Sequence, residues 1–167
     1  FLDGEMGVSL EGLPVIQGFT PQHVQPWHVR ADLPLLRGWD FGWAHPCVAF
    51  AQFDGLRWTW VDTLLGSQLH LRDFIPLVAA RTTALLPGGA FQDAVDHHVH
   101  DRRDNADKTS IEILHEYGIH PFSKKTSSVY EGVQLIQQAI TGGTFTVDPR
   151  NRLAIEALAV LAYPNRP

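Results

Sequence analysis

Leu35-Leu36-Arg37-Gly38-Trp39-Asp40-Phe41, then Pro46-Cys47-Val48-Ala49-Phe50-Ala51-Gln52-Phe53 closed by Asp54-Gly55, then Leu56-Arg57-Trp58-Thr59-Trp60-Val61-Asp62-Thr63-Leu64 decide the fold. The first is a short apolar run ending in an acid, the second is rich in β-favouring residues, and the third alternates through Trp58, Trp60 and Asp62. Asp54-Gly55 is a hairpin signal, because glycine tolerates the positive φ that a tight turn demands. Three consecutive antiparallel strands are therefore expected.

Downstream, Leu71 to Leu86 carries Phe74, Leu77, Val78 and Leu85 at helical spacing and stops at Pro87-Gly88-Gly89, with Pro76 tolerated in the first turns. Ala90 to Val95 is a short apolar run ending in Asp96. A polar loop then leads to a capping Thr109 or Ser110 and a helix from Ile111 to Tyr117, closed by Gly118. Ile119 to Phe122 reads as a strand, Val129 to Ile140 as a helix ended by Gly142-Gly143, Phe145 to Val147 as a brief strand, and Arg150 to Leu161 as a last helix. Antiparallel strands continued by alternating units predict an α/β domain, a mixed sheet with helices on its faces. Upstream, residues 1–34 interleave Gly4, Gly7, Gly12, Pro14, Gly18, Pro21, Pro26 and Pro34 with no lasting apolar period. They read as a linker or peripheral segment, with the domain proper over 35–167. The chain begins at Phe1 without Met and reads as a piece of something longer.

With 167 residues, 44% hydrophobic and 19% charged, the chain can bury one substantial core. Its formal charge of −5 disfavours a protein that holds nucleic acid by bulk positive charge. The single Cys47 excludes a disulfide framework and every multi-cysteine zinc module. No apolar stretch approaches the ~18 residues of a membrane span, so a soluble, intracellular protein with no membrane partner is expected.

Nine His residues are present, three of them in Asp96-His97-His98-Val99-His100-Asp101. Asp40 and Asp96 both close strands. Were those strands neighbours, both carboxylates would emerge at one edge, and hard oxygen ligands so placed are what paired Mg2+ or Mn2+ ions require for phosphodiester cleavage. The competing reading is that each Asp merely caps a turn. His97, His98 and His100 with Asp96 offer a His-rich phosphoesterase, but that chemistry wants an upstream Asp-x-Asp that the chain lacks. Asp40-Phe41-Gly42 matches the magnesium-binding triplet of protein kinases without their other elements. Cys47 reads as a packed residue, and Trp39, Trp43, Trp58 and Trp60 as packing rather than base-stacking side chains. Arg102, Arg103, Lys108, Lys124 and Lys125 form either a phosphate-holding patch or an ordinary solvated loop.

Arg37-Gly38-Trp39-Asp40-Phe41-Gly42 followed by Pro46 resembles the opening of the nuclease domain in the large subunit of tailed-phage terminases. Glu11-Gly12-Leu13-Pro14-Val15, Phe19 and His23-Val24 resemble the stretch by which those proteins leave their ATPase domain. Asp96 falls where the family has an Asp-Pro-Ala-Gly-like loop, with His97 and Val99 in place of Pro and Gly. Thr109-Ser110, Glu112-Ile113-Leu114, Gly118-Ile119, Lys124, Glu131-Gly132-Val133 and Val147-Asp148-Pro149 follow in the family's order.

The resemblance implies an RNase H-like fold with a five-stranded mixed sheet and a two-metal nuclease site with Asp40 and Asp96 as Mg2+ or Mn2+ ligands. The family's third acid lies in a C-terminal Asp-Ala-Leu-Arg-Tyr-like motif that does not occur before Pro167. The expected alternatives are truncation, supported by Glu156 and Tyr163-Pro164, or service by Asp101, Asp104 or Asp62. The implied activity is cutting of concatemeric double-stranded viral DNA during packaging. The implied partners are the terminase ATPase domain, the small terminase subunit and the portal protein. The implied location is the cytoplasm of the infected bacterium, not the mature virion. The rival expectation is a catalytically silent docking module for DNA or a packaging partner.

Overall fold

The computed structural model describes residues 12–42, 45–96, 108–123 and 129–163. Six strands form one sheet: β1 (Leu35–Asp40), β2 (Cys47–Phe53), β3 (Trp58–Leu65), β4 (Phe91–Val95), β5 (Phe122–Ser123) and β6 (Phe145–Val147). Four helices accompany it: α1 (Leu71–Leu85), α2 (Ser110–Glu116), α3 (Val129–Thr141) and α4 (Arg152–Val160). The spatial order is β5-β4-β1-β2-β3-β6. β1, β2 and β3 are antiparallel as expected, whereas β4 joins β1, β5 joins β4 and β6 joins β3 in parallel. The sheet has six strands where five were expected: every segment read as a strand, including the short ones at both edges, joins it.

The hairpin between β2 and β3 differs in detail from its expectation. Phe53 pairs with Trp58, so residues 54–57 form the loop. The Asp54 carboxylate accepts from the amides of Leu56 and Arg57 at 2.9 and 2.7 Å, and Gly55 takes φ +97°. An Asx turn therefore lengthens what reads as a two-residue connection. β5 is also displaced from Ile119–Phe122 to Phe122–Ser123. Gly118 (φ +71°) closes α2, the Ile119 amide donates back to the Leu114 carbonyl at 3.0 Å, and Ile119 is buried under the helix. At its other end α2 has the expected cap: the Thr109 amide donates to the Glu112 carboxylate at 2.7 Å and the Glu112 amide to the Thr109 hydroxyl at 3.3 Å.

Alternation in β1 and β2 divides the core. Leu35, Trp39, Val48 and Phe50 face α1, where Phe74, Ile75 and Val78 meet them together with Leu114 of α2. A register shift between Phe50 and Ala51 lets Trp60 join the opposite face. There Phe145 and Val147 of β6 pack with Ile140 of α3, Ala154 and Leu158 of α4, and Ile16. Helices therefore cover both faces, but α3 and α4 cover only the β3–β6 end of the second one.

Residues 12–34 have no regular structure beyond a 3-10 turn at Pro21–His23; Val15, Ile16 and Phe19 pack at this end, whereas Val29 packs against the first core. Pro14 bridges Ala162 and Val24 bridges Val147. The fully buried Gln52 holds the rest. Its side-chain oxygen accepts from the Trp27 indole at 3.0 Å and the Arg30 amide at 2.9 Å, and its amide donates to the carbonyls of Arg30 and Leu33. Among the described residues no helix is long and apolar enough to cross a membrane.

Candidate active site

β1 and β4 run in parallel with a constant offset, from Leu35 against Phe91 to Trp39 against Val95. Continued one residue beyond its last pair, that register would set Asp40 beside Asp96, the residue after β4. Neighbouring strands lie about 4.8 Å apart, so two carboxylates leave the same edge of the sheet. Alternation also settles the face. Leu35, Arg37 and Trp39 are buried while Gly38 and Asp40 are exposed; Asp93 and Val95 are buried while Asp96 is exposed. Asp40 therefore stands on the face away from α1, and continued alternation would put the exposed Asp96 on the same face.

The floor around them is made of small side chains. Gly38 pairs with Ala94 on one side and Ala49 on the other, and a Cβ at Gly38 would meet nothing within 4 Å. Cys47 is paired with Asp40 across the β1–β2 ladder and is half-buried. Burial, and secondarily the negative charge of Asp40, push its thiol pKa up, which keeps it a protonated packing group as the sequence suggests.

Two carboxylates on adjacent strands above small side chains suit a hard divalent cation, which takes oxygen ligands and retains water. Among the described residues no three His, Cys, Asp or Glu side chains converge as a metal site. Asp101, Asp104, His97, His98 and His100 lie outside the described residues. Asp62 does not supply the third ligand. It pairs with Phe50 on the α1 face and lies 3.3 Å from the Arg81 guanidinium, so the sheet separates it from Asp40. Asp148 is likewise committed elsewhere. It follows β6, three strands from β1, and accepts from the Trp27 amide (2.9 Å) and from the Arg150 amide (2.9 Å), Nε (2.8 Å) and Nη2 (3.0 Å). Burial would raise its pKa, but Arg150 and the two amides outweigh that and hold the carboxyl below its ordinary value.

Of the expected basic patch, Lys108 alone falls within the described residues. It pairs with Glu116, which also pairs with Arg72 of α1. Arg72 first and Lys108 second lower the Glu116 carboxyl to about 2. Lys108 thus bridges toward α1 and α2 as well as carrying charge. Arg102, Arg103, Lys124 and Lys125 lie outside the described residues, as does Trp43. Of the other tryptophans, Trp39 is buried, Trp60 packs against the second core, and Trp58 stacks on Phe53 with centroids 4.7 Å apart.

On the opposite, α1-facing side of the same strands lies a buried polar cluster that sequence reading passes over. Arg37 donates from Nε and Nη2 to the two oxygens of Asp93 at 2.7 and 2.6 Å, and from Nη1 to the Thr82 hydroxyl at 3.1 Å. The Trp39 indole donates to Asp93 at 2.6 Å, and the guanidinium carbon sits 3.8 Å from the centre of the Phe91 ring. Both charged side chains are nearly inaccessible, at 3% and 5% exposure. A signal existed: Arg37 and Asp93 each precede their candidate ligand by three positions, at the parity of core residues.

No protein-family model matches the chain, and no curated protein matches it. Solved structures do. The nuclease domain of the P22 large terminase superposes with a TM-score of 0.73 at 12% identity, covering 93% of this chain and 82% of that domain. The large terminase of a thermophilic bacteriophage, solved in complex with ADP, gives 0.72 at 13% identity, over 90% of this chain but 37% of that one. The large terminase nuclease from thermophilic phage G20c, solved with bound magnesium, gives 0.60 at 13% identity over 86% of this chain and 78% of that one. At such identities the likeness establishes the fold: the chain is folded as large-terminase nuclease domains are, and spans little more than a third of the ADP-bound terminase.

Proposed function

We propose that the chain is the nuclease domain of a phage terminase large subunit, a Mg2+- or Mn2+-dependent endonuclease acting on concatemeric double-stranded DNA during genome packaging. The observation that supports this is the parallel β1–β4 register, whose continuation by one residue would set Asp40 and Asp96 side by side on the face away from α1. The fold it shares with nuclease domains, one of them solved with magnesium, supports it. Asp40 and Asp96 would hold the metal, with a third acid drawn from Asp101, Asp104 or a position after Pro167. Bound divalent ions supply activation of water and stabilisation of charge on the leaving oxygen. The chain's own part is to hold two carboxylates close, keep the floor small enough for a phosphate to approach, and leave the face open to DNA.

With net charge −5, DNA affinity has to come from the metal and from local basic groups such as Arg102, Arg103, Lys108, Lys124 and Lys125, so binding is weak, salt-sensitive and indifferent to sequence. In this reading the chain works beside the ATPase domain, the small terminase subunit and the portal protein, in the host cytoplasm and not in the mature virion. The test is nicking of supercoiled plasmid. Nicking with Mn2+ that stops on adding EDTA is expected; cutting that is indifferent to EDTA overturns the metal assignment. The second reading, a silent docking module, draws on the lack of any group of three potential metal ligands among the described residues. DNA retention without any Mn2+-dependent nicking would favour it.

A further inference from the structure

We infer that Arg37 and Asp93 are positioning residues, a buried clamp that fixes the β1–β4 register and thereby sets Asp40 against Asp96; this rests on the proposed metal site. On the face away from α1, Gly38, Ala49 and Ala94 offer almost no side-chain interlock, so the β1–β4 register is set on the buried face, where Leu35, Trp39 and Val95 pack beside Arg37 and Asp93. The clamp supplies what the floor lacks. Arg37 and Asp93 are direct partners in the ladder, joined by a two-pronged ion pair at 2.7 and 2.6 Å.

A slip of one residue would turn Asp93 to the open face and strand Arg37 in the core. A slip of two would set Arg37 opposite Phe91 or Val95 and leave both charges without each other. Either state buries an uncompensated charge, which the interior does not tolerate. The actual register satisfies every prong: Asp93 takes both Arg37 prongs and the Trp39 indole, and the remaining Arg37 nitrogen finds Thr82. Thr82 in turn donates to the Val78 carbonyl at 2.8 Å, so its oxygen is oriented to accept. The cluster therefore ties both ligand-bearing strands to α1. A hydrophobic pair would pack the same space and resist a slip of one residue, but would discriminate far less against a slip of two. This is the best-attested use of a buried polar contact, specifying alignment rather than adding stability.

The test uses the full chain with Arg37→Met and Asp93→Leu together, a replacement that keeps volume and removes both charges. Asp93→Asn, which keeps the shape, carries the same test if the double variant does not fold. Two readouts are followed by NMR: cross-strand nuclear Overhauser effects from Gly38 and Trp39 to Ala94 and Val95, and the midpoint of Mn2+-induced broadening at residues 38–40 and 94–96. The expected result is a folded variant that keeps the β1–β2 and β2–β3 Overhauser effects, shows those between β1 and β4 absent or shifted in register, and binds Mn2+ about tenfold or more weakly. An unchanged β1–β4 Overhauser pattern overturns the clamp, and so does a Mn2+ midpoint within about twofold of the parent's, on the same outer-shell scale. If the parent itself shows no Mn2+ broadening while the β1–β4 pattern disappears in the variant, the metal reading fails and the register clamp stands.

Discussion

Asp40→Ala is expected to lower Mn2+-dependent plasmid nicking by about 100-fold or more while leaving the fold intact. A metal ligand contributes several kcal/mol of charge stabilisation to phosphoryl chemistry, and each ~1.4 kcal/mol is tenfold in rate. Asp40 stands exposed on the uncovered face at the end of β1, outside both hydrophobic clusters, so its removal creates no cavity. Stability should therefore change by no more than about 0.5 kcal/mol, the ordinary range of a surface substitution. Cys47→Ala, beside it in the ladder, is the control for local disturbance and should nick at close to the parental rate. Nicking undiminished in Asp40→Ala, measured at saturating metal, would sink the assignment.

Asp93→Ala is expected to cost about 3–5 kcal/mol, because it leaves the Arg37 guanidinium buried without its counter-charge. Arg37 is 3% exposed, and its Nε and Nη2 would both lose their acceptor, as would the Trp39 indole. Against a typical range of about 5–15 kcal/mol for a whole domain, that is a large share. The melting temperature should fall by roughly 10 °C or more in a chain of this length. Urea denaturation at pH 7 measures the loss directly, and a loss under about 1 kcal/mol, the size of one ordinary hydrogen bond, would show that the cluster is not a buried ion pair in solution. Arg30–Asp32 provides the contrast, since its side chains are 47% and 64% exposed and its removal should scarcely register.

These two variants separate what a sequence reveals from what it withholds. The local elements were legible, because each is specified by neighbours: the capping pair Thr109 and Glu112, the Asp54-Gly55 turn, and the Phe74 and Val78 stripe of α1 with Pro76 absorbed early. The two proposed ligands, Asp40 and Asp96, are picked out by an equally local feature, as acids at the ends of apolar runs. Strand order was not, since placing β4 beside β1 and β6 beside β3 depends on long-range pairing that no local pattern encodes. Residues 12–34 show no period because their anchor is remote: Gln52 satisfies Trp27, Arg30 and Leu33 from the sheet. The ion pair escaped notice because a charged residue at core parity is read first as an interruption. Asp62 shows the complementary error, an acid near Asp40 in sequence that strand alternation sends through to the α1 face.

The proposed metal site depends on Asp40 and Asp96 standing side by side on one face of the sheet. Crystals of the chain grown with Mn2+ and measured at the manganese absorption edge test it most directly, since the anomalous signal locates the ion without reference to activity. The account predicts a peak within ligand distance of both the Asp40 and Asp96 carboxylates, on the side of the sheet away from α1. A peak confined to the His97–Asp101 stretch, or no peak near Asp40 at millimolar Mn2+, would contradict it.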